Sequence, residues 1–156
     1  MWGCDEISDF LTRESSVEER PVALICGTRS TMAGLIKGLT KCCALARKVV
    51  GVSVINAPGV IAGAVSPWLH EDVESCRIVL RTIDDCHFGG YARARPELSD
   101  FFAQYSGLND IPLEPVYSSR LSWRLNLELQ SEQIQEGAGV TLIHSGGVFL
   151  IAILSS

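Results

Sequence analysis

The sequence predicts an α/β fold, a mostly parallel sheet with helices on both faces, in one domain of residues 1–156. Two observations predict it. Short apolar runs without alternation, Val22-Ala23-Leu24-Ile25-Cys26 and Val49 to Ile55, suit strands buried on both faces. Between such runs lie segments whose apolar residues recur at helical spacing, joined by short loops containing Gly or Pro, the alternation expected of a parallel sheet.

The elements follow in order. Cys4, Ile7 and Leu11 share one face of a helix beginning near Gly3, with Asp5 and Glu6 close to its positive end. Pro21 closes the polar link to the first strand, Val22 to Cys26. After the loop Gly27 to Ser30, the residues Met32, Leu35, Ile36, Leu39, Cys43 and Ala46 repeat at helical spacing. Gly34 and Gly38 lie one turn apart there and weaken the helix, which predicts another backbone packed closely against them. The second strand, Val49 to Ile55, runs into the break Ala57-Pro58-Gly59. Ser66-Pro67 reads as the start of a helix through Glu74, and Arg77 to Ile83 as the third strand. Gly89-Gly90 marks a loop, and Leu98, Phe101, Phe102 and Tyr105 form one face of a helix with Pro96 in its first turn. Pro112 and Pro115 make Ile111 to Val116 an approach loop rather than a central strand. Ser118 and Ser119 are placed to cap a helix through Leu121, Leu125 and Leu129. Val140 to Ile143 is the last predicted strand, ending at His144-Ser145-Gly146-Gly147.

Composition narrows the partners. A formal net charge of -5, with Lys and Arg scattered, leaves no basic surplus to neutralise phosphates and argues against nucleic acid. The cysteines Cys4, Cys26, Cys42, Cys43, Cys76 and Cys86 form no CxxC pair, so neither a zinc site nor a disulfide framework is indicated. Beside apolar neighbours they read as buried reduced thiols, the cytosolic pattern. Met1 to Glu6 lacks the basic-then-apolar order of a signal peptide, and Val148 to Leu154 is too short to span a bilayer. The expectation is a cytoplasmic protein with no membrane partner.

Four short motifs carry chemical information. Cys26-Gly27-Thr28-Arg29-Ser30-Thr31-Met32-Ala33-Gly34 joins a strand to a helix, where a loop of small and hydroxyl residues presents amides and a positive dipole end to a phosphate. It is neither GxGxxG nor a P-loop, and a tight turn with a hydroxyl cap explains it equally well. Cys86-His87-Phe88-Gly89-Gly90-Tyr91-Ala92 sets a tyrosine after two glycines, although by spacing alone Tyr91 is an ordinary loop aromatic. His87 has no companion at metal-ligand spacing, so no metal is expected. Leu113 to Arg120 places Tyr117 and Ser118 at a helix start, and His144-Ser145-Gly146-Gly147 lies at the carboxyl end of a strand, where open α/β sheets bind ligands. The plain alternatives are a capped helix with a core tyrosine and a strand-end turn.

In order and spacing, these motifs resemble the 1-aminocyclopropane-1-carboxylate deaminase and D-cysteine desulfhydrase family of fold-type II pyridoxal-phosphate enzymes. Cys26 to Leu35 resembles its phosphate loop, and Val50 to Val54 its next strand. His87 to Ala92 with Pro96-Glu97-Leu98 resembles a segment bearing one active-site tyrosine. Pro112 to Tyr117 resembles its Asp/Glu-Pro-Val-Tyr motif, and Ile143 to Gly147 its Ile-His-Thr-Gly-Gly strand end. The resemblance implies a three-layer, tryptophan-synthase-β-like partial fold, corresponding to the carboxyl-terminal, phosphate-binding large-domain portion. It implies that Gly27, Thr28, Arg29, Ser30 and Thr31 hold the cofactor phosphate, with Gly146 nearby, and that Ser118 faces the pyridine nitrogen. Tyr91 and Tyr117 become the proton-transfer or nucleophilic groups. A neutral hydroxyl at Ser118 resembles the desulfhydrase side, whose reaction is β-elimination of a small D-amino acid.

The departures limit the expected activity. Family members attach the cofactor through a lysine in a Gly-Gly-Asn-Lys segment, whereas Lys37, Lys41 and Lys48 stand in no such context. The small domain that holds the substrate carboxylate has no counterpart, Arg29 replaces a loop glycine, and Val148 to Ser156 leaves the family pattern. The expectation is a truncated or divergent member, without turnover by itself, acting with a companion chain or as a homodimer on a small amino acid. The rival expectation is a non-catalytic module that binds a phosphate ligand or a partner.

Overall fold

Every residue of the run Val22–Cys26 is buried, and this strand, β1, organises the molecule. The computed structural model describes residues 2–13, 20–27, 29–41, 47–69, 78–90, 93, 95–108, 113, 117–131, 139–144 and 150–154. The elements are α1 (Trp2–Arg13), β1, α2 (Arg29–Lys41), β2 (Arg47–Ser53), α3 (Val60–Leu69), β3 (Ile78–Ile83), α4 (Pro96–Leu108), α5 (Ser118–Gln130), β4 (Val140–His144) and β5 (Leu150–Leu154). The sheet order is β3-β2-β1-β4-β5. Its first four strands are mutually parallel, and β5 pairs antiparallel to β4 at the edge.

Alternation along β1 explains the layers. Val22, Leu24 and Cys26 pack with Ile7 and Leu11 of α1, Leu35, Ile36 and Leu39 of α2, and Ile61 and Val65 of α3. Ala23 and Ile25 turn to the opposite face, against Leu121 and Leu125 of α5. A strand covered on both sides has no solvated face, so its sequence reads as a continuous apolar run. Each fully buried Leu or Ile contributes on the order of 1.5–3 kcal/mol. The predicted mostly parallel sheet with helices on both faces is therefore present.

The glycine pair in α2 does what its spacing predicts. A Cβ on Gly34 would lie 2.8 Å from Cys4 Sγ, and one on Gly38 would lie 2.8 Å from Ser8 Cβ and 3.4 Å from the Cys4 carbonyl oxygen. Helix α1 occupies the space these side chains would need. Ser8 Oγ donates to the Cys4 carbonyl of its own helix at 2.8 Å and lies 3.4 Å from the Leu35 carbonyl across the seam.

Four sequence expectations require correction. The helix expected to start at Ser66-Pro67 begins at Val60 instead. The turn at Gly59 (φ 76°) starts it, the Gly63 amide bonds back to the Gly59 carbonyl at 2.9 Å, and Pro67 falls near the end. There proline lacks the amide that would bond to the preceding turn, and the helix ends two residues later. Second, β2 spans Arg47–Ser53 rather than Val49 to Ile55. Its start is extended by pairing of Arg47 and Lys48 with β3, and its end is turned by Ser53 Oγ, which donates to the Ile55 carbonyl at 3.0 Å. Third, neither Ser118 nor Ser119 caps α5. Tyr117 occupies the cap position without a side-chain capping bond, and both serines are buried in the first turn. Fourth, the terminal apolar run forms the edge strand β5, which the sequence reading did not assign.

Candidate active site

The strand order creates a topological switch point. From β1 the chain steps outward through β2 to β3, then returns to place β4 on the other side of β1. β2 and β4 thus flank β1 on opposite sides, and ligands of open α/β sheets bind at such a switch point. Gly27 directly follows β1, α2 opens two residues later, and His144 is the last residue of β4.

The residues drawn together there come from distant parts of the chain. A Cβ on Gly27 would lie 2.8 Å from Tyr117 Cε1 and 3.2 Å from its hydroxyl oxygen, so the tyrosine ring lies directly on the loop backbone. Tyr117 (φ −112°, ψ −67°) immediately precedes α5, and its carbonyl accepts the Leu121 amide at 3.1 Å. Ser118 is buried beside it. Ser30 and Thr31 lie in the first turn of α2, exposed and half-buried respectively, at the positive end of the helix dipole. Arg29 begins α2, but its side chain, like Thr28, Tyr91 and Gly146, lies outside the described residues.

His144 was not among the site residues expected from sequence. It is 5% exposed, and among the described residues neither Nδ1 nor Nε2 has a hydrogen-bond partner. Buried imidazole nitrogens are seldom left unbonded, so this position calls for a partner. Its place in the strand-end motif His144-Ser145-Gly146-Gly147 was the sequence signal for it. At the end of β3, Asp84 Oδ2 accepts the Gly59 amide at 3.2 Å, while Oδ1 is buried without a partner. Burial, and secondarily the Asp84 charge, push the Cys26 thiol up to about 12.

The loop after β3 is sharply formed. Phe88 (φ 49°) and Gly89 (φ 85°) both adopt the left-handed region, uncommon for phenylalanine. His87 Nδ1 accepts the Gly89 amide at 2.9 Å, and the Phe88 ring meets Trp123 of α5 edge-on at 5.2 Å. Burial, followed by the Asp85 charge, pushes the Cys86 thiol up to about 12. Among the described residues no group of His, Cys, Asp and Glu is arranged to hold a metal ion, and no helix is long and apolar enough to cross a membrane.

No protein-family model matches the chain. A curated Arabidopsis thaliana protein, the mitochondrial bifunctional D-cysteine desulfhydrase/1-aminocyclopropane-1-carboxylate deaminase, is 30% identical over 148 residues. The match covers 92% of this chain and 36% of that protein. Nearly the whole chain is thus similar to part of a member of the 1-aminocyclopropane-1-carboxylate deaminase and D-cysteine desulfhydrase family. A solved structure, described as a crystal structure analysis of an ACC deaminase homologue, shares the fold with a TM-score of 0.71 at 21% identity. It is matched over 94% of this chain and 45% of its own. The chain thus spans about a third of the curated relative's length and less than half of the solved chain's.

The family implies pyridoxal phosphate, and the residues present fit part of that requirement. Gly27 with the Tyr117 ring against it, the amino end of α2 and His144 all lie at the carboxyl ends of the neighbouring strands β1 and β4. Covalent attachment does not fit. Lys37 lies in the third turn of α2, Lys41 ends it, and Lys48 is the second residue of β2. Because α2 runs back from the carboxyl edge at about 1.5 Å per residue, Lys41 lies roughly 18 Å along it from Arg29. None of the three lysines stands at the ligand edge.

Proposed function

We propose that this chain is the phosphate-binding portion of a pyridoxal-phosphate-dependent deaminase or desulfhydrase, one that binds the cofactor non-covalently and has no appreciable turnover by itself. The contact between Gly27 and Tyr117 at the β1/β4 switch point carries this reading, because it joins two family motifs about ninety residues apart in sequence into one site. In this reading Gly27 to Thr31, with Gly146, hold the phosphate through amides and hydroxyls. Ser118 faces the ring nitrogen, and Tyr117 and Tyr91 handle protons near a small amino-acid substrate. When bound, the cofactor supplies an electron sink for the substrate carbanion, while the protein binds, orients and excludes water.

The position of Lys37, Lys41 and Lys48 away from the ligand edge supports the absence of turnover. A companion chain or a second copy supplies what is missing in a working enzyme. The described thiols Cys4, Cys26 and Cys86 are free, which supports a reducing setting, taken here as the cytoplasm. The test is 2-oxo-acid release from D-cysteine and 1-aminocyclopropane-1-carboxylate with added pyridoxal phosphate. No release above the protein-free control is expected; robust release would overturn the proposal.

A further inference from the structure

We propose that His144 contacts the heteroaromatic ring of the bound cofactor from the α5 side of the sheet, and so separates pyridoxal compounds from simple phosphates. This rests on the cofactor-site reading above. His144 ends β4 and is 5% exposed, and among the described residues neither of its ring nitrogens has a hydrogen-bond partner. A neutral imidazole carries one donor and one acceptor, so both kinds of demand are open at this point. A histidine serving only as core filler would have a nitrogen bonded, as buried polar groups almost always do. No group of His, Cys, Asp and Glu among the described residues is arranged to share a metal ion with it. The partner this position calls for is therefore an organic ligand.

Alternation along the strands fixes the side from which His144 acts. Val140 and Leu142 pack with Leu121 and Leu125 of α5, whereas Ile143 packs in the layer of α1 and α2. His144, two residues beyond Leu142, therefore faces α5. Strand β1 repeats the pattern: Ile25 faces α5, and Gly27, two residues further, meets the Tyr117 ring. Leu24 pairs with Ile143, which sets His144 beside Ile25 and about 8 Å from Gly27 between Cα atoms. Ser118, also buried, opens α5 next to Tyr117. Helix α2 packs on the opposite face through Leu35, Ile36 and Leu39, and its positive end carries Ser30 and Thr31. The helix end suited to a phosphate and the imidazole thus lie on opposite sides of the β1/β4 edge. His144 shares its side with Tyr117 and Ser118, the ring end of the site. A pyridine nitrogen and a ring hydroxyl are an acceptor and a donor, and either one meets an imidazole nitrogen.

The chain contains three histidines, so isotopic labelling of the imidazole nitrogens gives three sets of resonances, assignable by single His-to-Gln substitution. His87, whose Nδ1 accepts the Gly89 amide at 2.9 Å, reports the folded state. In the unaltered chain, pyridoxal phosphate and pyridoxal should each move the His144 nitrogens, and inorganic phosphate should leave them in place. H144L should bind both pyridoxal compounds roughly 2- to 10-fold more weakly, the worth of one neutral hydrogen bond, with the affinity for inorganic phosphate unchanged. H144Q, which keeps a donor and an acceptor, should recover part of that loss. His144 resonances that stay in place while absorbance shows saturable pyridoxal-phosphate binding would overturn the proposal and leave the cofactor reading standing. Resonances that move with inorganic phosphate alone would overturn it as well. If absorbance shows no saturable binding, the cofactor reading fails and this proposal fails with it. Should neither variant fold, the resonances of the unaltered chain decide between these outcomes.

Discussion

Replacing Gly27 with alanine would place a methyl carbon 2.8 Å from Tyr117 Cε1 and 3.2 Å from the tyrosine oxygen. Carbon atoms settle at about 3.5–4.0 Å, so ring and loop must separate by roughly 1 Å. Forcing an extra methyl into a packed contact costs about 1–3 kcal/mol. Tyr117 is half-buried and can tilt toward solvent, which favours the lower end, ~1 kcal/mol, or about 2–4 °C in Tm for a chain of this size. Gly27 does not have a positive φ, so the loss comes from the contact rather than the backbone. A double-mutant cycle isolates it. In the Y117A background, G27A should change stability by no more than about 0.5 kcal/mol. Thermal unfolding of the four proteins measures both quantities, and pyridoxal-phosphate titration should show the single G27A chain binding more weakly. An equal cost of G27A with and without the tyrosine ring would refute the reasoning.

Other positions make separate claims. G38A, whose methyl would meet Ser8 and the Cys4 carbonyl, should lower the urea midpoint despite alanine's better helix propensity. G63A, with nothing within 4 Å of its Cβ, should raise it by an amount equivalent to about 0.5–1 kcal/mol. Cys26 and Cys86, raised from 9.0 to about 12, should be about one part in ten thousand thiolate at pH 8 and resist thiol reagents until unfolding. The raised values mean that the folded chain holds these protons more tightly. Stability from these thiols is complete below about pH 9 and falls as pH rises toward 12, measurable as alkaline loss of circular dichroism. H144L should stabilise the ligand-free chain by about 1 kcal/mol, because it removes unbonded buried nitrogens, and should weaken pyridoxal-phosphate binding. A loss of stability in unfolding experiments would count against that reading of His144.

Strands buried on both faces were legible because burial leaves an unmistakable apolar run, as in Val22–Cys26. The α1–α2 contact was legible because two glycines one turn apart in a helix have few other uses. The start of α3 was not, since Pro67 fits the first turn by its φ alone, and the deciding feature was the turn at Gly59. The proposed capping by Ser118 and Ser119 failed because burial of both residues drew them into the helix, a tertiary effect that spacing does not carry. At the candidate site, Gly27 and Tyr117 could be named from sequence, but their contact could not, because it depends on β4 returning beside β1. Arg120 gave no signal at all: a charged residue in an amphipathic helix reads as exposed, and its burial depends on carbonyls 27 and 34 positions away.

The most direct test of the central claim is a pyridoxal-phosphate titration followed by absorbance, repeated with pyridoxal and in the presence of inorganic phosphate, and finished by borohydride reduction and mass analysis. The account predicts saturable binding that phosphate competes with, weaker binding of unphosphorylated pyridoxal, recovery of the free chain on dialysis, and no stoichiometric reduced adduct. Absence of saturable binding, or a stoichiometric adduct on Lys37, Lys41 or Lys48, would contradict it.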